Sequence, residues 1–198
     1  MKLYKLTNQD MRTHGGCQWG EGVTHTSNGE GQLCGPGWIH AYTDPLLAAL
    51  LNPIHANIAE PLLWECDGEV GKTDHGLKVG CTRLTTTREI PPPAVTMNQR
   101  VRFAILYAKT QYPDPGWNAW ADSWLSDSDR TASAARSAAS AAWSAVSAES
   151  AARSAAWSAA RSAASAVSAA SAAWSAVSAE SAADIDLIAI AHDAIRGD

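Results

Sequence analysis

From residue 117 to residue 196 the chain contains neither glycine nor proline, and inside that stretch residues 131–183 hold 26 Ala and 15 Ser in 53 positions. Alanine has the highest helix propensity and serine is only modestly unfavourable. The run therefore predicts one unbroken helix, ~80 Å long at about 1.5 Å per residue. It is also a repeat. Residues 137–152 read SAASAAWSAVSAESAA, and the same letters return at 168–183, an offset of 31 residues. Between Ser133 and Ser181 a serine begins every third or fourth residue, fourteen steps over 48 residues or 3.43 per step.

Each step is one helical turn, and the larger side chains Trp143, Val146, Trp157, Val167, Trp174 and Val177 share a stripe between the small ones. A helix so poor in apolar bulk gains little alone and has to be held by packing. Small residues let helices approach closely. At about 100° per residue a 31-residue repeat falls roughly 140° short of nine turns. The stripe stays on one seam only if the helices wind left-handedly, more tightly than a heptad coil. Ile185, Ile188 and Ile195 extend the stripe beyond the repeat. The expected arrangement is a homo-oligomer through residues 131–195, a coiled coil or helical bundle, with these large residues at the contact.

The remainder reads as an ordinary domain. The expected class is α+β: a small mixed β-sheet domain with two or three helices over 1–129, β-rich in 1–90 and helical in 96–126, followed by the long helix over 130–196. Strands are expected at 2–6, 23–26, 32–34, 38–42, 62–66, 77–84 and 86–90, with a hairpin turn at 27–31. Asp44-Pro45 starts a helix whose apolar body is 46–51, and Asn52-Pro53 is expected to stop it. Thr96 and Gln99 make a capping box, and the helix behind it lines up Val101, Ile105, Ala108 and Tyr112. Asp114-Pro115-Gly116 is expected to turn the chain. Trp117, Trp120 and Trp124 recur at helical spacing, a pattern that reads as core, closing the N-terminal domain, rather than as a stacking platform.

Charge and cysteine usage narrow the function classes. The net charge is −5, residues 1–130 carrying 11 Lys/Arg against 14 Asp/Glu with no basic block, which argues against nucleic-acid binding. No apolar run reaches the ~20 residues that span a bilayer. The opening residues read directly as a strand, so no leader is expected and the expected location is cytoplasmic. Cys17, Cys34, Cys66 and Cys81 form no CxxC pair, and the spacing of His14 and Cys17 with Cys34 or His40 is not that of a zinc site. They read as thiols, and no metal is expected. The glycine clusters at 15–16, 20–22 and 35–37 read as turns, since none opens a helix in a phosphate-binding pattern. No cofactor is expected.

Several motifs carry a resemblance: LYKLT at 3–7, CQWGEG at 17–22, LCGPGWIHAYTDPL at 33–46, LWECDGEV at 63–70 and KVG at 78–80. They resemble an uncharacterised domain family of tailed phages and prophages, whose members often carry alanine-rich repeats behind the domain. The resemblance implies a phage accessory protein and no activity. The segment order is also similar to the ADP-ribosyltransferase fold. There Lys5 stands where that fold has arginine, the Ser-Thr-Ser before the helix is missing, and Glu89 falls at the place of the catalytic glutamate.

The candidate catalytic residues are thus His40, Tyr42 and Glu89, and the candidate ligand-binding residues are Trp19, Trp38 and His25. Against each stands a plain structural role: a strand histidine is usually hydrogen-bonded in place, and Glu65, Glu69 and Glu89 are by default solvent-facing. The functional expectation is a non-enzymatic protein multimerised by its helix and binding a host or phage protein. The alternatives are a filament built by the helices, and a nucleotide-binding or ADP-ribosyl-transferring domain.

Overall fold

The computed structural model describes residues 1–74, 76–144 and 185–196, apart from the side chains of 54, 111 and 139–144. The fold is mixed α+β, with a five-stranded antiparallel sheet and five α-helices among the described residues. It divides into two compact units, residues 1–94 and 95–198. None of the described helices is long and apolar enough to cross a membrane.

The first unit is built on the sheet. Strands β1 (Lys2–Thr7), β2 (Thr24–Thr26), β3 (Ile39–Ala41), β4 (Leu62–Thr73) and β5 (Val79–Ile90) lie in the order β1-β4-β5-β2, with β3 also on β5. Beyond β3, Tyr42 exchanges two backbone hydrogen bonds of 2.8 Å with Tyr4 on β1. Since β3 is bonded to β5 on one side and β1 is bonded to β4, these four strands close on themselves. Irregularities between Glu65 and Cys66 and between Glu69 and Lys72 interrupt the β4–β5 register, the kind of defect that bends and twists a hairpin. Leu3, Trp19, Ala41, Trp64, Cys66, Val79, Cys81 and Leu84 fill one side of the closed strands.

Helix α1 (Pro45–His55) starts as its sequence predicts, with Pro45 in its first turn and the Asp44 carboxylate accepting from Leu46 N–H at 2.7 Å. Its Leu46, Leu47, Leu50 and Leu51 are buried. It does not stop at Asn52-Pro53. So near the helix C-terminus the ring removes one helical hydrogen bond at most, and the helix runs to His55, ahead of Asn57, whose φ of 50° is left-handed. Asn52 then ties the exit, its amide bonded to both Ile58 O and Ile58 N–H.

Two further strand expectations change. Residues 32–34 form a turn, because the loop folds on itself: Gly35 N–H reaches Gln32 O at 2.8 Å, and Gly29 N–H reaches Gly37 O at 3.0 Å. A Cβ on Gly37 would collide with the Glu30 carbonyl. The strands expected at 77–84 and 86–90 are one, because pairing with β4 runs on through Thr85 and Thr86.

The second unit holds α2 (Met97–Gln111), α3 (Pro115–Leu125), α4 (Ala132–Ser144) and α5 (Leu187–Arg196). The Thr96–Gln99 capping box is formed in both directions. Asp114 does more than turn the chain: its carboxylate caps α3 on Trp117 N–H at 2.7 Å. The tryptophan stripe is core, but of this unit. Trp117, Trp120 and Trp124 are buried with Val101, Ile105, Ala108, Tyr112, Ala135 and Ala138. Trp117 meets Tyr112 and Trp120 edge to face, with centroids 5.9 and 5.4 Å apart. A boundary at 129/130 falls between α3 and α4, yet Ala135 and Ala138 of α4 share this core, and the observed division comes earlier, at 94/95.

Of the Ala/Ser run, α4 is helical with Ala135 and Ala138 buried. The rest of the expected helix, from 145 to 183, lies outside the described residues, with Val146, Trp157, Val167, Trp174 and Val177 and the side chain of Trp143. Helix α5 packs on α2 of its own chain with Leu187, Ala191 and Ala194 buried, and Gln99 donates to Ile195 O at 3.3 Å. Ile188 is exposed, while Ile185 and Ile195 are half-buried.

Two outcomes test this packing. Gly80 sits beneath Leu33 and Trp38, where an added Cβ would lie 2.5 Å from Leu33 Cδ1 and 3.0 Å from the indole. Gly80→Ala should cost ~1–3 kcal/mol as overpacking, read as a lower urea midpoint. Trp117→Ala should cost ~3–5 kcal/mol. An unchanged melting profile in either variant would contradict the packing described.

Candidate functional site

Two polar clusters occupy the first unit. The inner one is centred on Lys5. Alternation along β1 puts Leu3, Lys5 and Thr7 on one face, and cross-strand register continues the Lys5 row through Trp64 to Glu89. Lys5 is 8% exposed. Its ammonium donates to His40 O at 2.8 Å and lies 4.7 Å from the centre of the Trp19 ring. The thiols of Cys66, Cys17 and Cys81 act on it as well. Burial lowers the amine to about 8, against the smaller opposing influence of the thiols. Burial also pushes the Cys66 thiol up to about 12 and that of Cys81 to about 11. Near neutral pH the ammonium therefore lies beside the protonated thiols of Cys66 and Cys81.

The candidates Trp19 and His25 meet at the edge of this cluster. Trp19 donates to Thr13 Oγ1 at 3.0 Å and lies edge-on to His25, centroids 4.5 Å apart. His25 Nε2 is 2.8 Å from Gln18 O and 3.5 Å from Cys17 Sγ. The pair resembles a nucleophile with its base, but a carbonyl can only accept. Nε2 must carry the proton in that bond and has no lone pair for the Cys17 proton. Trp38 lies elsewhere, over Gly71 and Gly80, its N–H on Gly31 O at 3.2 Å; it fills space that any side chain at those glycines would take.

The outer cluster gathers His40, Tyr42, His55, Asp74, Lys78 and Cys34. The His40 ring bonds to Leu33 O, and burial lowers its basicity although that carbonyl opposes the shift. Tyr42 is buried, which raises its hydroxyl well above the ordinary value. It stacks on His55 with centroids 5.8 Å apart and planes 19° from parallel. Both ring nitrogens of His55 are buried without a hydrogen-bond partner. Burial first, and the Lys78 charge second, lower this ring to about 4, so it is neutral at pH 7. The Lys78 side chain is 9% exposed and lies 3.3 Å from Asp74 Oδ2 and 3.4 Å from Cys34 Sγ.

Residues 1–98 match the family model described as Domain of unknown function (DUF7666). No curated protein and no solved structure matches the chain. The matched stretch contains the whole first unit and both polar clusters, so whatever chemistry they perform has to be read from their geometry.

That geometry brings some candidates together and not others. His40 and Tyr42 share the outer cluster. Glu89 is exposed on the inner row, roughly 10 Å from Lys5 at two strand spacings, with Trp64 between them. Glu65 bonds Arg88 and Lys2 at 2.7 Å each, and these cations hold its carboxyl down to about 2. Glu69 pairs with Arg83 at 2.9 Å. Among the described residues no three of His, Cys, Asp and Glu gather as a metal site. Sequence reasoning missed the burial of Lys5, although β1 alternation implied it. It also missed His55 and Lys78, which carry no local signal.

The buried amine makes a pH-dependent outcome. Lys5 has an ordinary value of 10.5 and about 8 in the native chain. Between these the unfolded chain holds more protons, so native stability rises with pH through this window, and below about 8 the native state bears the full cost. The difference is ~3 kcal/mol. Lys5→Met lacks it. Urea titrations from pH 7 to pH 10 should show wild type gaining ~2–3 kcal/mol relative to the variant; a constant gap would contradict the buried ammonium.

Proposed function

We propose that this chain is a non-enzymatic, phage-type accessory protein of the host cytoplasm. It is multimerised through its Ala/Ser region as a coiled coil or helical bundle, and its first unit binds a host or phage protein. The observation that carries the reading is the engagement of the catalytic candidates. His40 is bonded to Leu33 O, Tyr42 is buried against His55, and Glu89 stands apart behind Trp64. Groups committed in this way support a binding scaffold over a reaction centre. The ADP-ribosyl-transferring alternative draws no support from them, because its glutamate and its His/Tyr candidates do not converge.

Multimerisation is supported by the 31-residue duplication and by α4, where Thr131 Oγ1 accepts from Ala134 N–H and the first residues of the run are helical. Exposed Ile188 on α5 leaves an apolar side chain for a neighbouring helix. Joining several copies of a weakly binding unit multiplies its avidity without a new contact.

Light scattering on the full chain should return the mass of a multimer. Deleting residues 145–175, which joins Ser144 to Ala176 in repeat register, should reduce the assembly. A single-chain mass for the full protein at micromolar concentration would end the multimer reading, and fibres in negative stain would favour the filament instead. NAD at millimolar concentration should leave the melting temperature unmoved; a rise of several degrees would revive the nucleotide-binding alternative.

A further inference from the structure

Of the four cysteines Cys34 is exposed, Cys17 half-buried, and Cys66 and Cys81 buried. The last three surround Lys5, whereas Cys34 sits on the loop before β3. That loop is tied down: the His40 ring holds Leu33 O, Gly35 N–H closes on Gln32 O, and Gly37 packs against the Glu30 carbonyl. Its sulfur therefore has a defined position. Facing it at 3.4 Å is the ammonium of Lys78, nine-tenths buried and steadied from the other side by Asp74 at 3.3 Å. Asp74 is itself placed by the β4–β5 turn, where its N–H bonds Lys78 O at 3.0 Å and its carbonyl accepts from Leu77 N–H at 2.7 Å.

The order is nucleophile, cation, orienting carboxylate, the logic by which a side chain is made reactive. A sulfur beside a cation and open to solvent is the setting of reactive thiols, whereas apolar burial makes thiols inert. Removing Lys78 from water strengthens its field at the sulfur, since charge interactions grow as the local dielectric falls. His55 and His40 flank the cluster; both are kept neutral by burial and so bring no competing charge.

We propose that Cys34, assisted by Lys78, is a thiol–disulfide exchange site that takes up low-molecular-weight disulfides. The Cys34 proton leaves to water and its sulfur attacks one sulfur of the disulfide R–S–S–R. The S–S bond breaks, a Cys34–S–S–R mixed disulfide forms, and R–S⁻ departs with the electron pair. Lys78 lies 3.4 Å from the attacking sulfur, where its charge opposes the negative charge that forms there. No oxidant beyond the disulfide is needed. No second thiol belongs to this cluster to resolve the product, so the adduct persists at one per chain. This inference does not depend on the multimeric reading.

The test uses the full-length chain at pH 7. Oxidised glutathione should add one glutathionyl group per chain, mapped by peptide mass to Cys34, and Cys34→Ser should abolish it. With an aromatic disulfide reagent, Cys34 should react about tenfold faster than N-acetylcysteine. Lys78→Met should reduce that rate about tenfold, and Lys78→Arg should retain most of it. Circular dichroism would check the fold of both variants. Reaction of wild-type Cys34 no faster than N-acetylcysteine would overturn the proposal. So would a folded Lys78→Met variant with an unchanged rate, or an adduct on another cysteine. If Lys78→Met does not fold, the wild-type comparison with N-acetylcysteine decides alone.

Discussion

Two backbone hydrogen bonds between Tyr4 and Tyr42 join β3 to β1, and the first unit depends on that closure. Without it the strands would be an open antiparallel sheet whose Lys5 face could be solvated. With it, β1, β4, β5 and β3 enclose that face, and Leu3, Trp64, Cys66, Val79 and Cys81 pack inside. The same geometry brings the His40 carbonyl within 2.8 Å of the Lys5 ammonium. Closure thus creates both the apolar interior and the cation trapped in it. It also fixes β3 so that His40 can hold the preceding loop through Leu33 O, which in turn sets the position of Cys34.

The second unit obeys a different constraint. Its core alternates very large and very small side chains: three tryptophans and Tyr112 on one hand, Ala104, Ala108, Ala121, Ala135 and Ala138 on the other. Facing positions of unequal size let helices interdigitate at close-packed density. Alanines that look featureless in the repeat are therefore specific at the beginning of the run, where α4 meets the tryptophans. Helix α5 applies the same rule with Ala191 and Ala194 against α2. Alanine in this chain is a packing residue as well as a helix former.

What could be read in advance was what local physics decides. The Asp44 and Thr96 caps, the β1 alternation and the tryptophan stripe involve groups only a few residues apart, and each formed as its spacing implied. The tryptophans' partners were not legible, because a stripe says that a face is buried and not against which unit. Residues 32–34 had strand-like composition but lost to a loop closed by Gly29 and Gly37, a contact between segments that neither could announce alone. The Cys34–Lys78 pair spans 44 residues and needs the β4–β5 turn to exist first. His55 was hidden by Pro53, which marked an end that the helix passes through.

The two buried lysines show why burial alone does not define a reactive centre. Lys5 and Lys78 are each 8% exposed. Lys5 faces a backbone carbonyl, an indole and the Cys66 and Cys81 thiols, which burial keeps protonated, so its charge is tolerated by dipoles and a π face. Lys78 has a formal counter-charge in Asp74 on one side and a solvent-open sulfur on the other. A buried ion pair is stabilising only where its geometry satisfies both partners, and here the ammonium has a remaining donor directed at Cys34. The interior lysine is consequently a strain that the closed strands impose on themselves, whereas the lysine at the turn has its charge placed where a thiolate would form.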